Sequence, residues 1–354
     1  MIFNKKYEQK SRLGKGVFGE VYKVIDKTDG KSYALKFIGR VKNENANELI
    51  KNCENEINIM KNIKSEYIVK LIDNFYDKIY DGYCLVMELC DSDLNEILNI
   101  YKPKGLPLEL IKKIFIQLNN VLKEMIDKNS IHRDLKPENI LIKYTDSKKI
   151  NFNIKLTDFG LSTFGIGSTI RSHTLAGTQK YYAPEIEKFK YNNKCDLWSL
   201  GVILYELYTN KYIFDSEYNR QKGIISNKTD NELINNLIDK LIKVNIDERI
   251  KWEEYFNDDF FKNNDNNKKN NNNNENQQII QIKINVDYDN EKIKIYNGNK
   301  DINEKNIKFF INEKEIEFKK FINNLKKGIY TIIIKIKQKI TNCEKMFDVC
   351  NKII

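Results

Sequence analysis

Three stretches of the 354-residue chain hold side chains whose types and spacing suit work on a phosphate-bearing substrate. The string His132-Arg133-Asp134-Leu135-Lys136-Pro137-Glu138-Asn139 is the most specific of them. Asp134 can accept the proton of an incoming hydroxyl. Lys136 can neutralise charge developing on a transferred phosphoryl group, and Asn139 can present its carbonyl to Mg²⁺. Asp158-Phe159-Gly160 follows in order and brings a carboxylate, a donor that Mg²⁺ favours alongside phosphate oxygens. Upstream, Gly14-Lys15-Gly16-Val17-Phe18-Gly19-Glu20-Val21 fits G-x-G-x-x-G-x-V. Glycine patterns of this kind also close plain hairpins or open the helix of a dinucleotide fold. Here a β-rich run, Val21–Ile25, follows directly, so the loop is expected to lie over phosphates as a hairpin flap with N–H groups aimed at the anion. Lys36 falls on the next strand. A lone strand lysine is ordinarily a solvated surface residue, but one placed after this loop can reach the α- and β-phosphates if an acid steadies it. Glu56 is the candidate acid, and its neighbour Glu54 lies on another face of the same helix.

These side chains need a β-rich frame in front and a helical one behind. Leu13, Val17–Ile25 and Tyr33–Ile38 read as strands broken by glycines. Residues 44–64 read as a charged amphipathic helix with Leu49, Ile57, Met60 and Ile63 apolar. Val69–Phe75 and Tyr83–Glu88 read as strands again. From Leu94 the pattern turns helical. Over Leu110–Ile126 a single stripe holds Ile111, Ile114, Phe115, Leu118, Leu122 and Met125. After residue 185 the chain reads helical to about 262, and Leu197–Leu207 is apolar enough for a buried helix.

In this order the motifs resemble those of the eukaryotic protein-kinase family, whose parts are well defined. The likeness spans about residues 7–262 and implies a bilobal α+β fold, with a β-rich N-lobe and an α-rich C-lobe. It implies ATP and Mg²⁺ as cofactors and protein hydroxyls as substrates. Gly14, Gly16 and Gly19 resemble the ATP-covering loop, and Lys36 and Glu56 the ion pair of the active state. Asp134 resembles the catalytic base, and Asn139 and Asp158 the Mg²⁺ ligands. Ala183-Pro184-Glu185 is similar to the APE that closes the activation segment, with Arg249 as its partner. Asp196 resembles the acid that braces the catalytic-loop backbone. Leu13, Val21, Ala34 and Leu141 are expected to sandwich adenine, although ordinary core packing also accounts for Val21, Ala34 and Leu141 taken singly. Met87 looks like the gatekeeper, Glu88 and Cys90 are expected to offer hinge backbone groups, and Asp93 to bond the ribose. Lys136, Glu138 and Gly177-Thr178 resemble the Ser/Thr type, with Thr178 near Asp134 and Lys136. The subgroup is similar to the autophagy-initiating (Unc-51-like) and calmodulin-dependent kinases. Arg133 is of the kind that awaits a phosphate on the activation segment, with Thr174 as its acceptor. Ser168, Thr169 and Ser172 are competitors, and a plain loop residue is the other account of Thr174.

Two features depart from the family. Gln179 stands where many relatives have proline, and Glu206 to Arg249 is about ten residues short where a substrate-docking helix lies. Two other functions are weighed. A pseudokinase scaffold would lack members of the set Lys36, Glu56, Asp134, Asn139 and Asp158, which is complete. A small-molecule phosphotransferase would lack the APE segment and the string from His132 to Asn139.

Composition bounds the rest. A length of 354 residues suggests two to three domains, and 41% hydrophobic residues supply a core. The formal charge of +10 is concentrated behind. Residues 279–354 carry 16 Lys and 10 acids, and the first 262 residues are left with only about +4, so they are not a nucleic-acid module. The tail's surplus suits an acidic partner or a membrane surface, or simply a solvated lysine face. Residues 263–278 (NNDNNKKNNNNNENQQ) are polar and low in complexity, and are expected to be a flexible linker. Beyond them Ile280, Ile282, Ile284 and Val286 alternate, as do Tyr330, Ile332, Ile334 and Ile336, which predicts a small β-rich domain at 279–354 with its own unknown partner. The fragment Ile340–Cys350 resembles the lead-in to BspA-like leucine-rich repeats, but one repeat cannot stack. No signal peptide or transmembrane run is visible. The six cysteines are scattered with no CxxC pair, which suits free thiols in the cytoplasm and no structural zinc.

Overall fold

The computed structural model describes residues 1–16, 19–39, 46–146, 151–162, 179–188 and 191–262, together with the backbone of six strands between residues 278 and 336. The chain divides into two compact units, Met1–Lys262 and Asn263–Ile354.

The first unit opens with strands β1 (Ile2–Phe3), β2 (Tyr7–Gly16), β3 (Gly19–Asp26) and β4 (Ser32–Gly39). Helix α1 (Ala46–Asn62) and strands β5 (Leu71–Asp77) and β6 (Gly82–Glu88) follow. They form one antiparallel sheet in the order β1-β2-β3-β4-β6-β5. The edge strand β1 was not legible in the sequence, where two residues are too few to show a period. Its Phe3 is fully buried among Tyr22, Phe37 and Tyr80, with ring centroids 5.1–6.0 Å apart. This aromatic cluster and Val24, Leu35 and Val86 fill one face of the sheet. The glycine pattern is sterically required at Gly19. Its φ is +146°, and a Cβ there would lie 2.2 Å from the Phe37 carbonyl oxygen of the neighbouring strand.

Strand β7 (Ser92–Asp93), helices α2 (Leu94–Ile100) and α3 (Leu108–Asp127), and strands β8 (Ile140–Tyr144) and β9 (Phe152–Leu156) begin the second lobe. The apolar stripe read on α3 is its buried face: Ile111, Ile114, Phe115, Leu118, Leu122 and Met125 are each at most 1% exposed. Strands β7, β8 and β9 make a small antiparallel sheet, and Asn139 directly precedes β8. Helix α4 (Cys195–Thr209) is buried nearly all round, as its apolar sequence requires, and packs against α3 and α6. Helices α5 (Glu217–Lys222), α6 (Glu232–Leu241) and α7 (Trp252–Phe256) complete the lobe. The shortened stretch between Glu206 and Arg249 therefore still holds a short helix, α5. Its Arg220 is 1% exposed and donates to the Tyr182 carbonyl at 2.6 Å and to Glu217 at 2.9 Å.

In the second unit, β10 (Gln278–Val286), β11 (Glu291–Lys294), β12 (Ile307–Ile311), β13 (Lys314–Ile316), β14 (Phe321–Leu325) and β15 (Gly328–Ile336) are all antiparallel where paired. Their order is β10-β15-β12-β13, with β11-β14 as a separate pair. Among the described residues no helix is long and apolar enough to cross a membrane.

Candidate active site

A cavity of about 340 Å³ lies between the lobes. Leu13, Gly14, Gly19, Val21, Ala34, Lys36, Met87, Glu88, Cys90, Asp93, Asn139, Leu141 and Asp158, all named from the sequence, line it. Val69, Ser92, Glu96 and Thr157 line it too and were missed. Val69 carried a signal, as the first residue of a strand-like run. The others are polar residues whose inward aim depends on the packing of β7 and β9. Gly16 ends β2 beside Gly19. Thr174 and Thr178 lie outside the described residues, as do Ser168, Thr169 and Ser172.

Strand pairing brings Lys36 to the cavity, because β4 lies between β3 and β6 with Lys36 opposite Val21 and Leu85. Its ammonium lies 2.8–2.9 Å from both Glu56 carboxylate oxygens and 2.8 Å from Asp158. Burial would lower the Lys36 pKa, but the charges of Asp158 and Glu56 outweigh it and hold it above the ordinary lysine value. Asp158 is held below the usual carboxylate range despite its burial, chiefly by the Lys36 charge. The Asp158 backbone is left-handed (φ 65°, ψ 66°), a conformation that aspartate tolerates better than bulkier residues. Phe159 next to it is fully buried, and its ring lies 5.0 Å from that of His132.

A second cluster reaches the same cavity through Asn139. Lys136 Nζ donates to Asp134 Oδ2 at 2.8 Å, and Asn139 Nδ2 donates to Asp134 at 2.8 Å (backbone oxygen) and 2.9 Å (Oδ2). The loop is braced by Asp196, whose two oxygens accept the backbone N–H groups of His132 (2.8 Å) and Arg133 (2.9 Å). Arg133 is held at φ 70° and lies 5.2 Å over the Tyr191 ring. The His132 ring is buried. Its Nδ1 accepts from the Asp134 N–H at 3.3 Å, so Nε2 carries the proton and donates to the Thr157 carbonyl at 3.1 Å. Burial pushes this imidazole below its usual pKa against the pull of Asp196, Asp134 and Asp158.

On the hinge side Met87 is 5% exposed, and burial pushes the Cys90 thiol up to about 12. The Asp93 carboxylate caps α2, accepting the Glu96 N–H at 2.9 Å. Glu185 forms a two-pronged ion pair with Arg249 at 2.6 and 3.1 Å. Gln179, in place of proline, starts a single 3-10 turn and accepts the Tyr182 N–H at 3.1 Å.

Residues 7–261 match the family model for the protein kinase domain. The chain belongs to the protein kinase family. Its relatives are serine/threonine kinases. Serine/threonine-protein kinase ATG1 of Kluyveromyces lactis is 31% identical over 303 residues, which cover 72% of this chain and 36% of that protein. Serine/threonine-protein kinase 33 of Bos taurus is 39% identical over 211 residues, or 57% of this chain and 42% of that one. Serine/threonine-protein kinase TIO of Arabidopsis thaliana is 38% identical over 200 residues, or 56% and 14%. The kinase matches about a third of the length of its ATG1 relatives. The chain thus has the two-lobed fold of its family, and its resemblance to serine/threonine kinases of the autophagy-initiating and calmodulin-dependent groupings holds.

Proposed function

We propose that this kinase transfers the γ-phosphate of ATP, bound with Mg²⁺, to serine or threonine hydroxyls of proteins. The observation that carries this is an interlobe cavity lined by Lys36, Asp158 and Asn139, with Lys36 paired to Glu56 and Asn139 bonded to Asp134, which Lys136 also meets. Leu13, Val21, Ala34 and Leu141, which line the cavity, would sandwich adenine, with Met87 as the gatekeeper. Backbone groups of Glu88 and Cys90 meet its edge. Gly14, Gly16 and Gly19 cover the phosphates, and Lys36 holds the α- and β-phosphates. Asp93 has one carboxylate oxygen left for the ribose after capping α2.

The donor set suits Mg²⁺. The Asn139 amide nitrogen is committed to Asp134, so its carbonyl oxygen is the atom left for a metal, and Asp158 supplies a carboxylate. Held by Asn139 and Asp158, the ion would neutralise charge on the nucleotide phosphates. Asp134 takes the proton of the substrate hydroxyl, and Lys136 stabilises the oxygens of the moving phosphoryl group. Thr178 completes the acceptor site. A phosphate on Thr174, paired with Arg133, orders the activation segment. Residues 1–262 form the catalytic domain and 279–354 a separate β-rich domain.

Transfer of labelled phosphate from Mg-ATP to an oriented Ser/Thr peptide library by the purified chain tests this. Lys36→Met and Asp158→Asn are each expected to lose about 10³-fold in rate, equivalent to about 4 kcal/mol of transition-state stabilisation. Near-normal turnover by either variant would refute the assignment, and a wild type that binds a protein partner without turnover would favour a pseudokinase scaffold.

A further inference from the structure

If nucleotide meets the hinge through backbone groups, the side chain of Glu88 has no part in that contact, yet it is among the most heavily bonded carboxylates near the cavity. Glu88 ends β6 in the first lobe and its side chain is 12% exposed. It accepts the Lys70 N–H at 3.0 Å, just ahead of β5. It also pairs with two lysines of the second lobe, Lys155 on β9 at 3.0 Å and Lys143 on β8. Lys155 donates in addition to the Glu66 carbonyl at 2.7 Å.

The position of these lysines gives the pairing its meaning. Leu141, on β8, lines the cavity. Lys143 is two residues further along the same strand, and Lys155 is the β9 residue directly opposite Leu141. All three therefore share one face of the small sheet. Glu88 belongs to the wall that the first lobe contributes, and it grips the two side chains that flank the second lobe's Leu141. An exposed ion pair would contribute little. This carboxylate is shielded and takes three donors, two of them cationic, so its bonds are of the strong, charge-assisted kind.

We propose that Glu88, Lys143 and Lys155 form a latch across the hinge that fixes the spacing of the cavity walls, and so sets the affinity for nucleotide. The three are positioning residues, and the proposal rests on the nucleotide-binding reading above. Without the lysines the hinge is free to relax, and part of the binding energy goes into restoring the spacing. A simpler electrostatic role is separable, since two lysines near the cavity would also attract the phosphates of any nucleotide. Adenosine, which has none, distinguishes the two.

The test is the dissociation constant of Mg-ADP and of adenosine for the full chain, with Tm measured alongside. Lys143→Met with Lys155→Met is expected to weaken both ligands about tenfold, with kcat at saturating ATP within twofold of wild type. Glu88→Gln added to that double variant is expected to weaken binding no further, because one interaction is shared. If the double variant is too unstable to assay, Lys143→Met alone, at a side chain 39% exposed, is expected to cost about threefold. Unchanged adenosine binding in the double variant, or in Lys143→Met where only that variant folds, would overturn the latch, whether or not Tm falls or ADP binding weakens. A wild type that binds neither ligand would instead sink the nucleotide-binding reading, and the latch with it.

Discussion

Removing the Glu185 carboxylate should unfold the kinase domain far more readily than its distance from the cavity suggests. The Arg249 guanidinium is fully buried and every donor direction is used. It meets Glu185 at 2.6 and 3.1 Å, the Lys194 carbonyl at 2.8 Å, and the Lys243 carbonyl at 2.7 and 3.0 Å. The Trp198 ring lies 5.3 Å away. In Glu185→Ala a full charge remains in a dry site with only carbonyl partners. Breaking one side of a buried pair costs about 3–5 kcal/mol. For a domain of this size that is a fall in Tm of about 6–20 °C. Arg249→Met strands the carboxylate and should cost a similar amount. The double variant removes both charges and should recover much of the loss, so the two effects should be far from additive. Thermal and urea unfolding of the four proteins measure this directly. Single losses below about 1 kcal/mol, or a double variant as unstable as the sum of the singles, would refute the argument that the pair is buried and mutually compensating.

Three further outcomes are expected. Residues 1–262 alone should retain transfer activity, and limited proteolysis should cut first within 263–278 and leave a stable fragment ending near 262; a fragment inactive from the outset would show that the rest of the chain is needed. Thr174→Ala should lower activity at least tenfold and Arg133→Ala should add little to it, whereas fully additive losses, or full activity with no phosphate on the segment by mass spectrometry, would reject that control. The third concerns acid. Burial keeps the folded-state pKa of His132 below its unfolded value of about 6.5, so the unfolded chain takes up this proton first and stability is lost as pH falls below about 6.5. The drop in Tm between pH 7.5 and 5.5 should therefore shrink in His132→Gln, and an unchanged drop would show that His132 does not contribute.

Gly14, Gly19, Asn139 and Asp158, which line the interlobe cavity, were legible because each sits in a short local pattern: a glycine loop, the string from His132 to Asn139, an Asp-Phe-Gly turn. The apolar stripe of α3 and the all-round apolar run of α4 were legible for a related reason, since a helix repeats within a few residues and its buried face shows in one window. Thr174 and Thr178 were named from the stretch that ends at Gly177-Thr178 and fall outside the described residues. What the sequence left open depends on register between distant segments. That Phe3 adds an edge strand to the sheet follows from an aromatic pocket made by Tyr22, Phe37 and Tyr80, residues up to 77 positions away. That a helix persists in the shortened stretch, with Arg220 buried against the Tyr182 carbonyl, depends on partners that no local pattern announces. Lys143 and Lys155 look like any solvated strand lysines in a chain with 60 basic residues. Only the pairing of β8 with β9, and the approach of β6 to both, turns them toward one glutamate. Local spacing determined which side chains can act, because covalent neighbours carry the pattern. Tertiary structure decided which charges are paired, because pairing requires that segments far apart in the chain be brought within 3 Å of each other.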